Sequence, residues 1–459
     1  MKTGKKVVAL LSAAVMTAGI LGGCGSSNGD AGNAAADTGA AKDTTAVADE
    51  GGSSAAGSGS VYYLNYKPEV DAQWQELAAS YTAQTGVPVT VVTAASGTYE
   101  QTLTSEIAKT EAPTLFQMES ESWVDNWGQY CDDISDSFIA QHASSETIQV
   151  DGKVIAVPYV KESYGIIYNV DLLNEYCALD NAVVSSVDEI NNFDKLKAVA
   201  DDIQARKDEL GVEGAFTSAG LDGSSNWRFT THLANMPIYW ELTDKGVTTA
   251  TELDGTYVPN YKNLLDLYFT DATCDPALLS GKTGDDAMAE FCDGMAVFYQ
   301  NGTWAWTPDG DMAGMNVAFL PLYTGVEGEE NIGVCSGVGN YWCLNKNATD
   351  EDKKATLDFL EWVISSDEGK ETLASKMSFN VPFDTFDGYE LENPLFASAN
   401  AYEAAGKTTV SWIGSQCLPT ENWKANLASA LIEYSQGTAD WSVVEKCFTE
   451  DFASEWATR

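Results

Sequence analysis

Residues 61–118, VYYLNYKPEVDAQWQELAASYTAQTGVPVTVVTAASGTYEQTLTSEIAKTEAPTLFQM, decide the fold class of this chain. Three short apolar runs, 61–66, 87–92 and 113–118, predict β-strands, and two segments with apolar residues at helical spacing separate them. The order strand, helix, strand, helix, strand is typical of a parallel, doubly wound α/β sheet. In such sheets ligands bind beyond the carboxyl ends of the strands, so the sequence predicts a binding site at that edge.

Polar side chains follow the first and the third of these predicted strands. Asn65 ends the first strand and Lys67 follows it, and Glu119 and Ser120 come directly after the third. Because the carboxyl ends of parallel strands meet at one edge of a sheet, all four side chains are candidates for ligand binding. The alternative for each of them is a solvated surface group.

The first 23 residues have the pattern of a bacterial signal peptide. A basic opening, MKTGKK, precedes an apolar run over residues 7–21, which is shorter than the roughly 20 residues of a membrane-spanning helix. The run ends in LGGC (21–24), which resembles the lipobox of bacterial lipoproteins. We therefore expect cleavage before Cys24 and a lipid on its sulfur. A plain secretory cleavage site and an uncleaved anchor are the alternatives.

A linker follows the predicted lipid anchor. Residues 25–60 contain no aromatic residue and a single large aliphatic one, Val47. Such a segment cannot bury enough apolar surface to offset the entropy lost on ordering, so it predicts a flexible tether. The chain is thus expected to be a lipidated Cys24 and linker over 24–60, followed by a binding domain over 61–459. We place that domain at the outer face of the bacterial cytoplasmic membrane.

The charge of the chain excludes some partners. The 459 residues carry 25 Lys and Arg against 68 Asp and Glu, which gives a formal net charge of −43. A surface this negative repels phosphate backbones and anionic lipid headgroups, so neither nucleic acid binding nor electrostatic membrane docking is expected. The acidity itself is explained by solubility.

Motifs for metal binding and catalysis are missing from the sequence. There is no HExxH, GxSxG or EF-hand pattern, and SGKT (280–283) lacks the upstream glycine of a phosphate-binding loop because Pro276 stands there. The two histidines, His142 and His232, are far apart in sequence. We predict neither a metal nor a cofactor. The eight cysteines beyond Cys24 show no recognisable framework, which favours buried thiols and leaves disulfides as the alternative.

Four segments, taken together, resemble a known family. DGKVIAVPYVKESYGIIYNVDLL (151–173) predicts a strand, a break at KES and a second strand. With TGVPVTVV (85–92), MAEFCDGMAVFYQNGTWAW (288–306) and FLEWVISSDEGKETLA (359–374), it resembles the extracellular solute-binding proteins of ABC importers, the family that includes maltose-binding protein. The resemblance implies two α/β lobes that close over a ligand, and it implies no catalysis.

The resemblance also implies how the chain is divided. It places the first lobe at about 61–159 and 336–382, and the second at about 160–335 and 383–459. Each lobe is expected to be a doubly wound sheet, with the ligand cleft between the lobes. The implied function is to capture a carbohydrate, expected to be an oligosaccharide, and to deliver it to the membrane permease of an ABC transporter. The protein is expected to act as a monomer.

The stretch FYQNGTWAW (298–306) carries the main site prediction. The spacing of two residues in a strand sends Trp304 and Trp306 to opposite sides. In sugar-binding members of the family an aromatic residue just after such a turn faces the cleft, and Trp304 falls on that position. A flat indole matches the apolar C–H face of a pyranose ring, so Trp304 is expected to stack on the ligand and Trp306 to be core. The alternative for Trp304 is also the core.

Further site residues are implied by the same resemblance. Trp227 and Trp423 are additional stacking candidates, with the core as their alternative. Glu162 matches a family carboxylate that accepts sugar hydroxyls. Asn340 lies beyond a glycine turn, where a crossover strand is expected to end, and a solvated surface group is its alternative. Arg228 departs from a neutral sugar pattern and leaves room for an acidic sugar.

Two other classes of protein stay open on the sequence. A solute-binding protein for a non-sugar ligand would share the fold, although an anion receptor would need more than the three arginines present. A surface glycosidase also combines tryptophans with carboxylate pairs. The crossover pattern argues against the glycosidase.

Overall fold

The computed structural model describes residues 58–218 and 220–458. The predicted signal peptide, Cys24 and nearly all of the linker lie outside the described residues, so these features stay predictions. Within the described part, no helix combines the length and apolar character needed to cross a membrane.

The strands of the described part join in one mixed sheet. Its central order is β2-β1-β3-β9-β5-β7-β6, with β4 and β8 paired to β5 and β10 paired to β9. The strands are β1 (Val61–Asn65), β2 (Val89–Thr93), β3 (Leu115–Met118), β4 (Ile148–Val150), β5 (Lys153–Asn169), β6 (Gly214–Phe216), β7 (Ala296–Gly302), β8 (Val317–Leu320), β9 (Ile332–Leu344) and β10 (Thr408–Val410).

Helices cover the sheet and alternate with its strands. The α-helices are α1 (Asp71–Thr85), α2 (Tyr99–Ile107), α3 (Val124–Trp127), α4 (Phe138–His142), α5 (Val170–Cys177), α6 (Phe193–Ala205), α7 (Lys207–Leu210), α8 (Ala234–Lys245), α9 (Val258–Thr270), α10 (Gly284–Cys292), α11 (Asp350–Ser365), α12 (Asp367–Glu371), α13 (Pro394–Ala404), α14 (Ile413–Gln416), α15 (Glu421–Ser435), α16 (Ser442–Lys446) and α17 (Phe452–Trp456). Wider π-helical segments occupy Arg228–Leu233, Thr372–Lys376 and Cys447–Asp451.

The opening strands and helices form as the sequence predicts. β1 pairs in parallel with both β2 and β3, and α1 and α2 connect them. Helix α1 buries Trp74, Leu77 and Tyr81, which are spaced to lie on one face. The helix ends at Gly86, whose φ of 75° is a left-handed conformation that glycine adopts without strain. The predicted α/β order of this region is confirmed.

The predicted break at KES, Lys161 to Ser163, is wrong. β5 runs without interruption through these residues, and they pair with Val338, Gly337 and Ser336 of β9. Because β5 and β9 are both long antiparallel strands, they join the parallel strands at either end into one sheet. The predicted α/β fold is present, and β5 and β9 make its strands one continuous mixed sheet.

The buried apolar residues separate into two groups along the chain. Two clusters draw only on residues 61–160 and 341–386, and two others draw only on 164–335 and 395–452. The fold is thus two-lobed, with β5 and β9 running between the two cores. This division supports the predicted lobe boundaries, which themselves stay a prediction.

Thiols rather than disulfides are present at most cysteines. Free thiols are carried by Cys131, Cys177, Cys274, Cys292, Cys335, Cys343 and Cys447. Four of these seven are buried, and burial raises the pKa of Cys335 to about 12 and that of Cys447 to about 11. These buried thiols act as small apolar side chains of the core.

Candidate ligand-binding site

Trp304 lies in the turn that follows β7, where residues of both lobes meet. Its indole is half-buried and lies directly against the backbone of Gly302. A Cβ atom on Gly302 would lie 2.2 Å from Cη2 of Trp304, so only glycine permits this contact. The backbone of Gly302 is extended, with φ −128°, which any residue can adopt. The glycine is therefore needed for the position of the indole and not for the turn.

Trp306 follows the same turn, in which Thr303–Ala305 form a 3-10 helix and not the continued strand that the spacing argument assumed. It is 8 % exposed and belongs to a core cluster with Phe291, Tyr299 and Met312. The prediction that Trp306 is a core residue is confirmed. The two indoles of this turn thus have different environments, since one is packed and the other lines a cavity.

Trp304 lines a small cavity whose wall also contains one member of a buried ion pair, Glu162. Glu162 of β5 and Trp304 both line this cavity, together with Glu69 and Phe379. The Nζ atom of Lys67 lies 2.5 Å from Oε1 of Glu162 and 3.5 Å from Oε1 of Glu69. Burial alone would lower the pKa of Lys67, but the two carboxylates outweigh it and raise that pKa. Lys67 is therefore a charged ammonium that holds Glu162 in place.

Trp304 belongs to a group of five packed aromatic rings, which we call the aromatic cluster: Tyr164, Trp227, His232, Trp304 and Trp412. The His232 ring stacks on Tyr164, with centroids 4.1 Å apart and planes 8° apart. His232 also lies 5.1 Å from the ring of Trp304, and Trp227 lies 5.9 Å from Trp304. Burial, helped by the positive charge of Arg228, lowers the pKa of His232 to about 3. The ring is neutral at physiological pH.

Trp227 is placed by the loop before it and by the residue after it. Its indole N–H donates to the carbonyl of Ser224 at 3.1 Å. The guanidinium of Arg228 lies 4.4 Å from the ring centroid, in a cation–π contact. The structure thus brings Trp227 into the aromatic cluster with Trp304, as the sequence predicts, although its role toward a ligand stays a prediction.

Trp423 is a core residue, and the expectation that it stacks on a ligand is corrected. Its side chain is 0 % exposed and packs edge-on against Phe448 and Phe452. Its indole N–H donates to the carbonyl of Cys447 at 2.7 Å. Because both its ring and its polar atom are satisfied inside the protein, Trp423 has nothing left to offer a ligand.

Glu119 and Ser120 lie where β3 ends, but their contacts are within the protein. Oε2 of Glu119 is 3.7 Å from Nζ of Lys424, which also lies 2.7 Å from Glu421. The hydroxyl of Ser120 is hydrogen-bonded to that of Ser122 at 2.8 Å. Lys424 belongs to the second core group by sequence and Glu119 to the first, so this ion pair joins the lobes. Ligand binding by Glu119 and Ser120 stays a prediction.

Asn65 and Asn340 are both buried, and their hydrogen bonds differ. The amide of Asn65 donates to the carbonyl of Lys67 at 2.8 Å and to the hydroxyl of Thr93 at 3.1 Å, so it shapes the turn that carries Lys67. Nδ2 of Asn340 has no hydrogen-bond partner among the described residues. Lys67 and Asn340 are 5 % and 1 % exposed, which rules out the solvated-surface alternative for them. Asn340 in particular has a free donor.

Three residues of the aromatic cluster were not predicted from the sequence. Tyr164 and His232 show no local signal, since both depend on packing between distant segments. Trp412 has an indirect signal in the glycines of SGVGN (336–340). A Cβ on Gly337 would lie 2.7 Å from the Trp412 indole, and one on Gly339 would lie 2.0 Å from a carboxylate oxygen of Glu162. These two glycines mark places where a side chain lies directly against the backbone of β9.

Metal-ligand clusters are not part of this site. Within residues 58–218 and 220–458, no group of three or more His, Cys, Asp or Glu side chains is arranged to hold a metal ion. The cavity is instead lined by the aromatic rings of Trp304, Phe379 and Phe396, together with the carboxyl groups of Glu69 and Glu162.

This fold and site define a two-lobed α/β binding protein with a cavity between its lobes. The family model described as bacterial extracellular solute-binding protein matches residues 76–386, so the chain belongs to that family. Members of this family are extracellular binding proteins rather than enzymes. The comparison with curated protein sequences gives no match.

Solved structures with the same fold include several proteins with sugar ligands. A chitin oligosaccharide binding protein has a TM-score of 0.69 at 16 % identity, covering 88 % of this chain and 99 % of its own. RafE in complex with raffinose has a TM-score of 0.66 at 16 % identity, and the match covers 86 % of this chain and 99 % of RafE. A sugar transporter from Bacillus licheniformis in complex with stachyose has a TM-score of 0.65 at 16 % identity, and the match covers 86 % of this chain and 100 % of the transporter chain.

Proposed function

We propose that this protein captures a carbohydrate, expected to be an oligosaccharide, and delivers it to the permease of an ABC transporter. The observation that carries the proposal is the pairing of Trp304 with the Glu162–Lys67 ion pair across one cavity. An indole offers a flat apolar face to the C–H face of a pyranose ring. A carboxylate, an ammonium and the free amide of Asn340 offer acceptors and donors for its hydroxyls.

The fold relatives support this proposal. The names of three solved structures with this fold mention chitin oligosaccharide, raffinose and stachyose. In each case the match to this chain covers nearly the full length of the solved protein. We extend their ligand class to this chain and not their particular ligands. No enzymatic step is part of the proposal, because Glu162, which lines the cavity with Trp304, is held in an ion pair by Lys67.

The proposal includes a lipid anchor at Cys24. A signal peptide over 1–23 and a tether over 25–60 would hold the binding domain near the permease at the outer face of the membrane. Cys24→Ser is expected to release the processed protein into the soluble fraction, measured by fractionation and blotting. Unchanged membrane retention of a processed mutant would reject the anchor and leave the binding proposal intact.

A thermal-shift screen tests the ligand class. A ligand that binds only the folded state raises the unfolding temperature, and the shift grows with the ratio of ligand concentration to Kd. We expect neutral oligosaccharides to give such shifts, and amino acids and short peptides to give none. Shifts with peptides alone would overturn the proposal, and product analysis showing hydrolysis of an oligosaccharide would replace it with the glycosidase alternative.

A further inference from the structure

A second cavity, which we call the Arg228 cavity, lies at the carboxyl ends of β6 and β7. Its polar walls are Ser218, Arg228, Tyr268 and Gln300, and phenylalanine rings close its apolar side. The cavity has a volume of about 20 Å³, somewhat more than the roughly 10–15 Å³ that one water needs, so it has room only for a small group. In an α/β sheet this edge is where ligands bind, yet the cavity is distinct from the one lined by Trp304.

Each polar wall of the Arg228 cavity presents an atom without a partner. Within the described residues, Nε of Arg228, Oγ of Ser218, the hydroxyl of Tyr268 and Oε1 of Gln300 are buried and make no hydrogen bond. Gln300 donates through its Nε2 to the carbonyl of Arg228 at 2.9 Å, which leaves the oxygen as its free end. Buried polar atoms are normally hydrogen-bonded, so four in one cavity indicate a bound group.

The charge of Arg228 is not compensated by an ion pair. Its other guanidinium nitrogens donate to the carbonyl of Ser225 at 3.3 Å and to the hydroxyl of Tyr299 at 3.2 Å. No carboxylate oxygen of the described residues forms a salt bridge with it, although Arg228 is only 7 % exposed. A buried charge is costly unless it is paired, so the guanidinium favours an anion at its free Nε–H.

The acidic side chains near this cavity already have partners. Asp222 accepts hydrogen bonds from Ser224 and Ser225. Glu290 accepts from the backbone N–H of Ser218 at 2.7 Å and pairs with Lys282 at 3.0 Å. Burial alone would raise the pKa of Asp222, but hydrogen bonds from Ser225 and Ser224 and the charge of Arg228 lower it. Asp222 therefore compensates part of the charge of Arg228 without an ion pair, and Nε of Arg228 keeps no hydrogen-bond partner among the described residues.

We propose that the Arg228 cavity binds a small anion of the carboxylate type. Arg228, Ser218 and Tyr268 supply donors for its oxygens, and a water can satisfy Gln300. The carboxylate has two sources, either a free ion or a uronic acid unit of the oligosaccharide. The second source rests on the proposed function, because Trp227 stacks on Arg228 and connects it to the aromatic cluster.

Thermal unfolding of the full chain in detergent tests the site itself. Sodium formate is titrated at constant ionic strength against sodium chloride, whose anion lacks the two oxygens of a carboxylate. We expect the unfolding temperature of the wild type to rise with formate and that of Arg228→Gln not to. The formate Kd should weaken by about tenfold or more, the scale of a charged hydrogen bond. Arg206→Gln, which removes a surface arginine paired with Glu209, is the matched control.

Two milder variants keep the test decisive if Arg228→Gln does not fold. Ser218→Ala and Tyr268→Phe each remove one donor and leave the charge in place, so each should weaken formate binding by a few-fold. A formate response that is absent in the wild type, or equal in wild type and all three cavity variants, overturns a free-ion site.

Calorimetric titration separates the two sources. A neutral oligosaccharide is compared with its counterpart that carries a uronic acid unit, in wild type and in Arg228→Gln. Tighter binding of the acidic sugar, lost in Arg228→Gln and competed by formate, assigns the carboxylate to the ligand. A formate response without that preference assigns a free ion, and the absence of both overturns the inference. Binding of the neutral oligosaccharide by the wild type tests the proposed function independently of the anion site.

Discussion

The turn after β7 and the start of α15 each carry a tryptophan that the sequence offers as a stacking surface. Trp304 is half-buried, lies over Gly302 and lines the cavity with Glu162. Trp423 is fully buried, and its N–H donates to a backbone carbonyl. The difference shows that a tryptophan forms a binding surface only where one face of its ring is free, whatever the residue type suggests. A glycine packed against the other face, as Gly302 is here, can hold the ring in such a position.

The largest effect is expected from removing the buried member of this comparison. Trp423→Ala leaves a cavity in the core of the second lobe and an unpaired carbonyl on Cys447. The free energy of unfolding should fall by about 3–5 kcal/mol, as for other core tryptophans. Denaturant unfolding measures it, and affinity in the folded fraction should stay near that of the wild type. A small loss of stability with a large loss of affinity would show that Trp423 contacts the ligand and would contradict its assignment to the core.

A smaller effect is expected from Gly302→Ala, which leaves Trp304 in the chain. The backbone at Gly302 suits alanine, so the added Cβ acts only by pushing the indole away. Affinity for a neutral oligosaccharide should fall by up to about 1–3 kcal/mol, the scale of one aromatic stacking contact. Gly281→Ala is the matched control, because no atom lies within 4 Å of a Cβ there. Equal affinities in both variants would contradict the position assigned to Trp304.

The smallest effect on binding is expected from pH. The pKa of His232 is lowered from 6.5 to about 3, so this ring stays neutral in the folded protein between pH 8 and pH 5. Titrations in that range should show no step in affinity from His232. A step that disappears in His232→Gln would show that the ring titrates and that its burial is misjudged.

The lowered pKa of His232 also makes the free energy of unfolding depend on pH. Below about pH 6.5 the unfolded chain binds a proton at His232 and the folded chain does not, so the free energy of unfolding falls as pH drops toward 3. Wild type should therefore lose more stability than His232→Gln between pH 7 and pH 4.5. Denaturant unfolding at both pH values measures this difference.

Sequence reasoning succeeded where structure depends on neighbours along the chain. The three strands of 61–118 form within two residues of their predicted limits, and helices form between them, because apolar periodicity and Gly86 are local signals. It failed at Lys161–Ser163, where pairing with β9 keeps the strand intact. That pairing joins residues far apart in sequence and leaves no local trace.

The candidate site was predictable to a similar degree. The sequence offered Trp304, Trp227 and Glu162 as site residues, and in the structure Trp304 lines one cavity with Glu162 and packs near Trp227. It could not supply His232 or Tyr164, whose stacked rings come from distant segments. It also placed Trp423 in the cleft, because the resemblance aligns a position and does not show which way a ring faces.

The central claim is that Trp304 provides a sugar-stacking surface opposite Glu162. Calorimetric titration of wild type, Trp304→Ala and Trp306→Ala with an oligosaccharide from the thermal screen tests it most directly, paired with denaturant unfolding. We predict that Trp304→Ala weakens binding by about 5- to 150-fold with little loss of stability, and that Trp306→Ala does the reverse. Wild-type affinity together with severe destabilisation in Trp304→Ala would contradict the account.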